Sequence, residues 1–203
     1  MKIIKHLTLI SIVILLSVAN TSCKKNEQKE TTKFSIEPKT ITVNWTGYKT
    51  TDKVAVKGQF KEIEIATIKE SETAIDALNG AIFTIPISSL FTDEPERDSK
   101  LKTLFFGVMD NTISLSGTLN LEENGTGNID LLMNGVNNKI PITYIVSGQL
   151  VELEGTMNLD DWKGQTALAS INEACFDLHK GPDGVSKTWS EVAVNAAVYL
   201  KKK

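Results

Sequence analysis

The strongest constraint on the fold is an alternation of apolar and polar residues with a period of two, which recurs along most of the chain from about residue 40 onward. Successive side chains of a β-strand point to opposite faces, so this alternation predicts strands that each have one apolar face. The apolar face of the eight runs is formed by Ile41, Val43 and Trp45; Val54, Val56, Gly58 and Phe60; Phe83, Ile85 and Ile87; Ile113, Leu115, Gly117, Leu119 and Leu121; Ile129, Leu131 and Met133; Ile140, Ile142, Tyr144 and Val146; Val151, Leu153, Gly155 and Met157; and Val192, Val194, Ala196, Val198 and Leu200.

The links between these runs are short and rich in turn-forming residues, which joins neighbouring strands in antiparallel fashion. Eight strands with one apolar face each cannot stay flat and half exposed to water, so they must roll into a barrel or stack as a sandwich. The fold class is therefore predicted to be all-β and antiparallel. The turn segments are Thr51-Asp52, Glu123-Asn124-Gly125, Asn134-Gly135, Asn137-Asn138 and Ser147-Gly148.

Two segments have helical spacing instead, which predicts one or two peripheral helices. The first has Leu101, Leu104, Phe105 and Val108 on one side, with acidic residues around Pro95 at its start. The second runs from about Gln165 to Lys180 and stops before Gly181-Pro182. Its apolar stripe consists of Leu168, Ile171, Cys175 and Leu178. A shorter helix is also indicated from about Ser71 to Leu78.

The first 22 residues have the pattern of an export signal. Lys2 and Lys5 make a positive start, and the apolar run Leu7–Val18 is too short to cross about 30 Å of hydrocarbon comfortably. A small residue, Ser22, precedes Cys23 directly. In this the chain resembles bacterial lipoprotein precursors, in which such a cysteine becomes the mature N-terminus and carries diacylglyceryl and palmitate-like acyl chains. Cys23 is thus the predicted lipidation site.

One alternative is an ordinary secreted protein cut near Ser22, because Asn20 stands where the lipoprotein motif prefers leucine. The stretch after Cys23 favours the anchor, since Lys24–Lys33 contains no apolar residue and should be a solvated tether. Residues 23–33 are therefore predicted to link a lipid-anchored cysteine to a single folded domain over residues 34–203. No aspartate follows Cys23, which favours the outer membrane, facing the periplasm, as the site of the anchor.

The remaining composition excludes several classes of protein. The net charge of −3 includes no basic cluster, so the chain lacks the electrostatic footprint of a nucleic-acid-binding protein. If Cys23 is acylated, Cys175 has no partner for a disulfide bond. No G-x-S-x-G motif and no glycine-rich phosphate loop is present. We therefore expect no enzyme, no cofactor and no catalytic residue.

Cys175 and His179 form the one arrangement that could bind a metal, because residues four apart on a helix point the same way. A stable zinc site needs three or four protein ligands, and the sequence has no further motif to supply them. The simpler interpretation is a buried thiol on the apolar stripe and a histidine at the end of the helix. No metal site is predicted.

Several inward positions are small, namely Gly58, Gly117, Gly155 and Ala196. Glycine weakens a strand and fills no space, so these positions indicate either tight curvature or room for a ligand. An eight-stranded barrel can hold one slim ligand, such as an alkyl or isoprenoid chain. The residues predicted to line such a cavity are Trp45, Val56, Phe60, Phe83, Ile85, Leu115, Leu131, Ile142 and Tyr144.

Three stretches resemble one known family: Val54–Phe60 (VAVKGQF), Glu96–Phe106 (ERDSKLKTLFF) and Ile129–Leu159. In order and spacing they are similar to the YceI-like family, whose members are periplasmic or secreted lipocalin-like barrels that bind amphiphiles such as polyisoprenoids. The resemblance spans roughly residues 36 to 200 and implies an antiparallel eight-stranded lipocalin-like barrel. The departures are Asn137-Asn138, in place of a Thr-Lys turn, and the helical insertion from Asp160 to Lys187.

Within the second stretch, Arg97 and Asp98 match a pair of the family and are expected to form an ion pair at the start of a helix. The leading hypothesis is thus a lipid-anchored, non-catalytic carrier for a long-chain amphiphile, isoprenoid or fatty-acid-like. The alternative is a filled barrel that acts as an interaction or stress-protective lipoprotein of the envelope, without a lipid ligand.

Overall fold

The structure is a computed structural model that describes residues 32–203, so the predicted signal peptide, Cys23 and nearly all of the tether lie outside the described residues. Within that range the chain forms thirteen strands and three α-helices. The strands are β1 (Phe34–Ser35), β2 (Thr42–Lys49), β3 (Val54–Phe60), β4 (Glu64–Ile65), β5 (Glu70–Ser71), β6 (Ile82–Pro86), β7 (Leu90–Phe91), β8 (Ser114–Leu121), β9 (Thr126–Met133), β10 (Val136–Ser147), β11 (Leu150–Asn158), β12 (Glu191–Tyr199) and β13 (Lys201–Lys202). The helices are α1 (Ala74–Leu78), α2 (Pro95–Lys100) and α3 (Gln165–Ala174).

The main sheet is antiparallel and has ten strands in the order β4-β6-β8-β9-β10-β11-β12-β2-β3-β7. Its long members coincide with the eight runs of alternating residues, so the prediction of a mostly β, antiparallel fold is confirmed. The sheet is curled, but the described ladder is not a closed ring of eight strands. Pro86 ends β6 and has no N–H to donate, and the 3-10 turn Ile87–Ser89 follows it. The end strands β4 and β7 are two residues long and do not pair with each other.

The sheet also opens between β10 and β11, whose pairing runs only from Ile142↔Gly155 to Ser147↔Leu150. Trp162, on the 3-10 turn Leu159–Trp162, is fully buried beside this opening. Its indole Nε1 donates a hydrogen bond to the carbonyl oxygen of Leu131 at 2.9 Å. The turn that precedes α3 is thus part of the core.

At one end of the curled sheet, buried side chains fill the interior. The short helix α1 lies against β8 and against the small sheet β13-β1-β5. The Thr73 side chain caps α1 by accepting a hydrogen bond from Asp76 N at 3.0 Å. The buried residues at this end include Ile36, Leu78, Leu121, Val151, Val198 and Leu200.

The other end is covered by α2 and α3. After Lys100, helix α2 continues as a wide π turn, Leu101–Phe105, and then as a 3-10 turn, Phe106–Val108. The predicted helical stripe therefore lies in this irregular continuation. Its irregular geometry turns two consecutive rings, Phe105 and Phe106, into the interior, where they contact edge to face at 4.9 Å between centroids.

The start of α2 differs from the sequence-based expectation. Asp98 Oδ1 accepts hydrogen bonds from Thr92 N at 2.8 Å and from Thr92 Oγ1 at 2.6 Å. Asp98 thus fastens the preceding loop to α2 rather than pairing with Arg97, and the predicted ion pair is wrong. The two hydrogen bonds from Thr92 are partly buried, whereas an ion pair with the exposed guanidinium of Arg97 would contribute little.

Helix α3 begins where it was predicted but ends at Ala174, earlier than expected. Cys175 is its C-cap, and residues Asp177–His179 form a separate 3-10 turn. The segment from Cys175 to Thr188, here called the strap, then leads toward β12 and is bridged to β2 through Thr188 and Lys49. Between Thr32 and Lys203, no helix is long and apolar enough to span a bilayer.

Candidate ligand-binding cavity

A cavity of about 410 Å³ lies between the curled sheet and the covering helices. Side chains of β2, β3 and all strands from β6 to β12 form one part of its wall, and side chains of α2, its continuation, α3 and the strap form the other. Its volume lies within the range of roughly 300 to 1,000 Å³ that is usual for small-molecule sites.

Seven of the nine residues predicted to line a cavity do line it: Trp45, Val56, Phe60, Phe83, Ile85, Leu115 and Leu131. Ile142 and Tyr144 do not, although both are buried. They lie on the half of β10 that pairs with β11, toward the packed end, and Tyr144 donates its hydroxyl hydrogen to the carbonyl oxygen of Glu122. Alternation along β10 identified the correct face but not how far the cavity extends along it.

Gly58, Gly117 and Gly155 were expected to reflect either tight curvature of the sheet or room for a ligand. The structure shows a different reason for these glycines. Each is paired with a large side chain on the neighbouring strand: Trp45↔Gly58, Phe83↔Gly117 and Ile142↔Gly155. A Cβ at Gly58 would lie 2.2 Å from Cζ2 of Trp45, and one at Gly117 would lie 2.8 Å from Cζ of Phe83. Gly58 and Gly117 therefore make room for rings that rest against the sheet, which leaves the interior open. Ala196, the other small position, is half-buried and lies outside the cavity lining.

The helical side of the wall was not included in the predicted lining, although its signal was present. Leu168, Ile171, Cys175 and Leu178, the apolar stripe of the second helical segment, all face the cavity. Leu101, Phe105 and Phe106 from the continuation of α2 complete this side. An apolar stripe shows that a helix covers something apolar, but not whether that partner is a filled core or a hollow.

Polar residues are concentrated at the mouth of the cavity. Those on α2 and its N-terminal cap are Glu94, Glu96, Arg97 and Lys100. Lys100 Nζ donates to Glu96 Oε1 at 2.7 Å, which lowers the pKa of Glu96 and raises the pKa of Lys100. Arg97 is exposed and forms no salt bridge among residues 32–203.

The opposite side of the mouth is formed by Lys49 on β2 and by His179 and Thr188 on the strap. His179 Nδ1 lies 2.7 Å from Thr188 Oγ1, and Lys49 Nζ donates to the carbonyl oxygen of Leu178 at 3.0 Å. Partial burial lowers the pKa of His179, and the positive charge of Lys49 lowers it further. His179 is therefore neutral near pH 7.

The pair Cys175 and His179, considered as a metal site from sequence, does not lie on one helix, because α3 ends at Ala174. Both residues line the cavity, and Cys175 is buried as the apolar-stripe interpretation predicts. Within the described part of the chain, no three His, Cys, Asp or Glu side chains are grouped so that they could hold a metal ion.

Comparison with known proteins agrees with this architecture. Residues 34–199 match the model of the YceI-like domain family. A polyisoprenoid binding domain from Saccharophagus degradans, implicated in plant cell wall breakdown, is 12% identical, with a TM-score of 0.58 over 84% of this chain and 98% of that one. BcnA of Burkholderia cenocepacia is 13% identical, with a TM-score of 0.54 over 82% of this chain and 99% of that one. No curated protein matches the chain. At such low identities the two structures show a shared fold only, but the family match covers nearly the whole described region, and the chain belongs to the YceI-like domain family.

Proposed function

We propose that the protein is a non-catalytic carrier that holds a long-chain amphiphile, isoprenoid or fatty-acid-like, in its cavity. The observation that carries this proposal is the combination of an apolar hollow of about 410 Å³ with polar side chains gathered at its mouth. An amphiphile has the complementary layout, with a hydrocarbon chain and one polar end. The family supports the proposal, and the structurally similar domain from Saccharophagus degradans is described as binding polyisoprenoids.

Burial of the hydrocarbon chain would drive binding. Each methylene removed from water contributes about 0.8 kcal/mol, so lengthening a ligand by two methylenes should tighten binding roughly tenfold or more. This gain should stop once the chain fills the cavity. A series of straight-chain ligands therefore measures the usable length of the hollow.

The cavity argues against the alternative of a filled, ligand-free sheet that serves only as an interaction or stress-protective protein. A packed interior would bring side chains of the strands and covering helices into contact, whereas Leu115 on β8 and Ile171 on α3 both face open space. The two hypotheses differ in one measurable property, which is the presence of a bound lipid.

Organic extraction of the purified protein, followed by mass spectrometry, tests the proposal directly. We expect a long-chain amphiphile in amounts comparable to the protein, and we expect delipidated protein to bind an environment-sensitive fluorescent lipid. Neither extractable lipid nor saturable binding of the fluorescent lipid would overturn the proposal.

The second part of the proposal is that Cys23 anchors this carrier to the outer membrane, where it faces the periplasm. Its support is the sequence alone: a positive start, a short apolar run, a small residue before Cys23 and a polar tether after it. The ten residues Lys24–Lys33 could reach roughly 30 Å at full stretch, which would hold the cavity mouth near the bilayer.

Cell fractionation of wild-type protein and a Cys23→Ser variant tests the anchor. The wild type should sediment with membranes and release labelled acyl chains on hydrolysis, whereas the variant should be soluble and unlabelled. Equal distribution of the two proteins would exclude lipid anchoring and leave the binding proposal standing.

A further inference from the structure

The polar side of the mouth formed by Lys49, His179 and Thr188 is a connected cluster. Lys49 and Thr188 face each other in an isolated antiparallel bridge, which places β2 beside the strap. Thr188 contacts His179 through Oγ1, and Lys49 holds the neighbouring Leu178 carbonyl oxygen. All three residues line the cavity, so a molecule inside it can reach them.

The hydrogen bonds of this cluster determine which nitrogen of His179 carries the proton. Thr188 Oγ1 donates its single hydrogen to Asn172 Oδ1 at 2.8 Å. It therefore has no hydrogen left for His179, so the 2.7 Å contact requires Nδ1–H to be the donor and Thr188 Oγ1 to be the acceptor. In the neutral ring the other nitrogen, Nε2, then has a free lone pair. Nε2 has no hydrogen-bond partner among the described residues and is not sealed from solvent.

Lys49 supplies the complementary group. An ammonium has three N–H donors, and Lys49 uses one of them on the carbonyl oxygen of Leu178. The mouth thus offers an acceptor on His179 and donors on Lys49. A hydroxyl group can satisfy both, because it donates one hydrogen bond and accepts others. A carboxylate can accept from Lys49 but has nothing to donate to Nε2 and repels its lone pair.

We propose that Lys49, His179 and Thr188 form the site for the polar end of the ligand, and that this site selects a long-chain alcohol over a long-chain carboxylate at neutral pH. This inference rests on the proposed function, because it names the head group of the amphiphile that the cavity holds. Thr188 is a positioning residue, since it acts by holding the ring of His179 in one tautomer.

Acidification should weaken or reverse this preference for the alcohol. Burial and Lys49 keep His179 neutral near pH 7, and protonation below its lowered pKa turns Nε2 from an acceptor into a donor. Lys49 is the charged group that acts on His179 from β2. The charged groups across the mouth lie on α2 and its cap, where Lys100 is paired with Glu96, and Glu94 and Arg97 make no salt bridge within residues 32–203.

Displacement of a fluorescent lipid from delipidated protein by dodecanol and by dodecanoate tests the inference. At about pH 7.5 we expect dodecanol to bind at least about fivefold more tightly, the usual value of one hydrogen bond, and the difference to shrink or reverse at about pH 5.5. His179→Phe should weaken dodecanol binding about fivefold and abolish the pH dependence. His179→Gln keeps an acceptor that does not titrate, so it should retain the preference for alcohol at both pH values.

Two further variants serve as controls. Thr188→Val should weaken alcohol binding less than His179→Phe does. It removes the hydrogen bond that keeps the proton of His179 on Nδ1, but it leaves the imidazole ring in place. Lys180→Gln removes an exposed cation beside His179 that does not line the cavity, and it should change nothing. Circular dichroism spectra establish that each variant folds.

Equal competition by the alcohol and the carboxylate, unaffected by His179→Phe or by pH, would overturn this inference while leaving the carrier function intact. Failure of both compounds to displace the probe from the wild type, together with the absence of extractable lipid, would overturn the carrier function and this inference with it.

Discussion

Replacing Gly58 by alanine tests the idea that the inward glycines exist to seat aromatic rings. The added Cβ would lie 2.2 Å from Cζ2 and 2.5 Å from Cε2 of Trp45. Carbon atoms in ordinary contact are about 3.5 to 4.0 Å apart, so the indole must retreat by more than about 1 Å. Thr92 Cγ2, at 3.0 Å from the same Cβ, limits movement on that side. Since Trp45 lines the cavity, the ring should move into the cavity.

The energetic cost combines two opposing effects. Overpacking a well-fitted site costs about 1 to 3 kcal/mol, while removing a glycine from a strand returns about 0.5 to 1 kcal/mol. We therefore expect Gly58→Ala to lower the free energy of unfolding by about 1 to 2 kcal/mol. The displaced indole should also narrow the cavity and weaken binding of the fluorescent lipid.

A double-mutant cycle with Trp45→Leu, measured by urea unfolding, isolates the contact. Without the indole, Gly58→Ala should cost nothing or should stabilise the protein slightly. Gly117→Ala with Phe83→Leu is the matched control, because a Cβ at Gly117 also lies 2.4 Å from the backbone oxygen of Asp130. Removing the ring there cannot relieve the clash. Equal costs of Gly58→Ala with and without Trp45 would refute the reasoning.

Three other predictions follow from the same geometry. Leu115→Phe should reduce lipid binding with little loss of stability, because Leu115 faces the cavity. Leu119→Phe, further along the same face of β8 but outside the lining, should lower the free energy of unfolding in urea by about 1 to 3 kcal/mol. The reverse pattern would contradict the position of the cavity. Because the pKa of His179 is lowered from its ordinary 6.5, the unfolded chain binds its proton first, so stability should be complete above about pH 6.5 and should fall as the pH drops toward the folded-state pKa. Urea midpoints across this range should show that decline in the wild type and a smaller one in His179→Gln. Tyr144→Phe should cost about 1 kcal/mol through loss of the hydrogen bond to Glu122 and leave lipid binding unchanged. A large loss of binding would show that the cavity extends along β10 as far as Tyr144, as first expected.

Most strands could be predicted from the sequence because alternation is a local property. Whether Leu115 and Leu131 point inward depends only on their position within their own strands. The limits of the helices were harder to predict, since local signals compete there. Helix α3 stops at Ala174, although its apolar stripe continues to Leu178 and all four residues of the stripe face the cavity.

The lining residues that alternation within a single strand identifies were predicted correctly. Those whose position depends on packing between segments were not. Trp45 and Phe83 were identified by alternation, but the glycines opposite them belong to other strands, and only the register brings each pair together. Ile142 has the same local pattern as Leu131 and yet lies in the packed end. No local signal distinguishes a filled end of a sheet from a hollow one.

By itself, the sequence determined the antiparallel β character of the domain, the inward face of each long strand and the two helical coverings, because side-chain periodicity and turn chemistry act over a few residues. Only the tertiary structure decided that the sheet is curled with two short end strands, that the rings of Trp45 and Phe83 fill the glycine positions, and that a hollow remains. It also brought together Lys49 and Thr188, which are far apart in the chain, at the cavity mouth. Contacts of this kind depend on how segments that are distant in the chain pair and pack. The residue pattern of a single segment therefore cannot predict them.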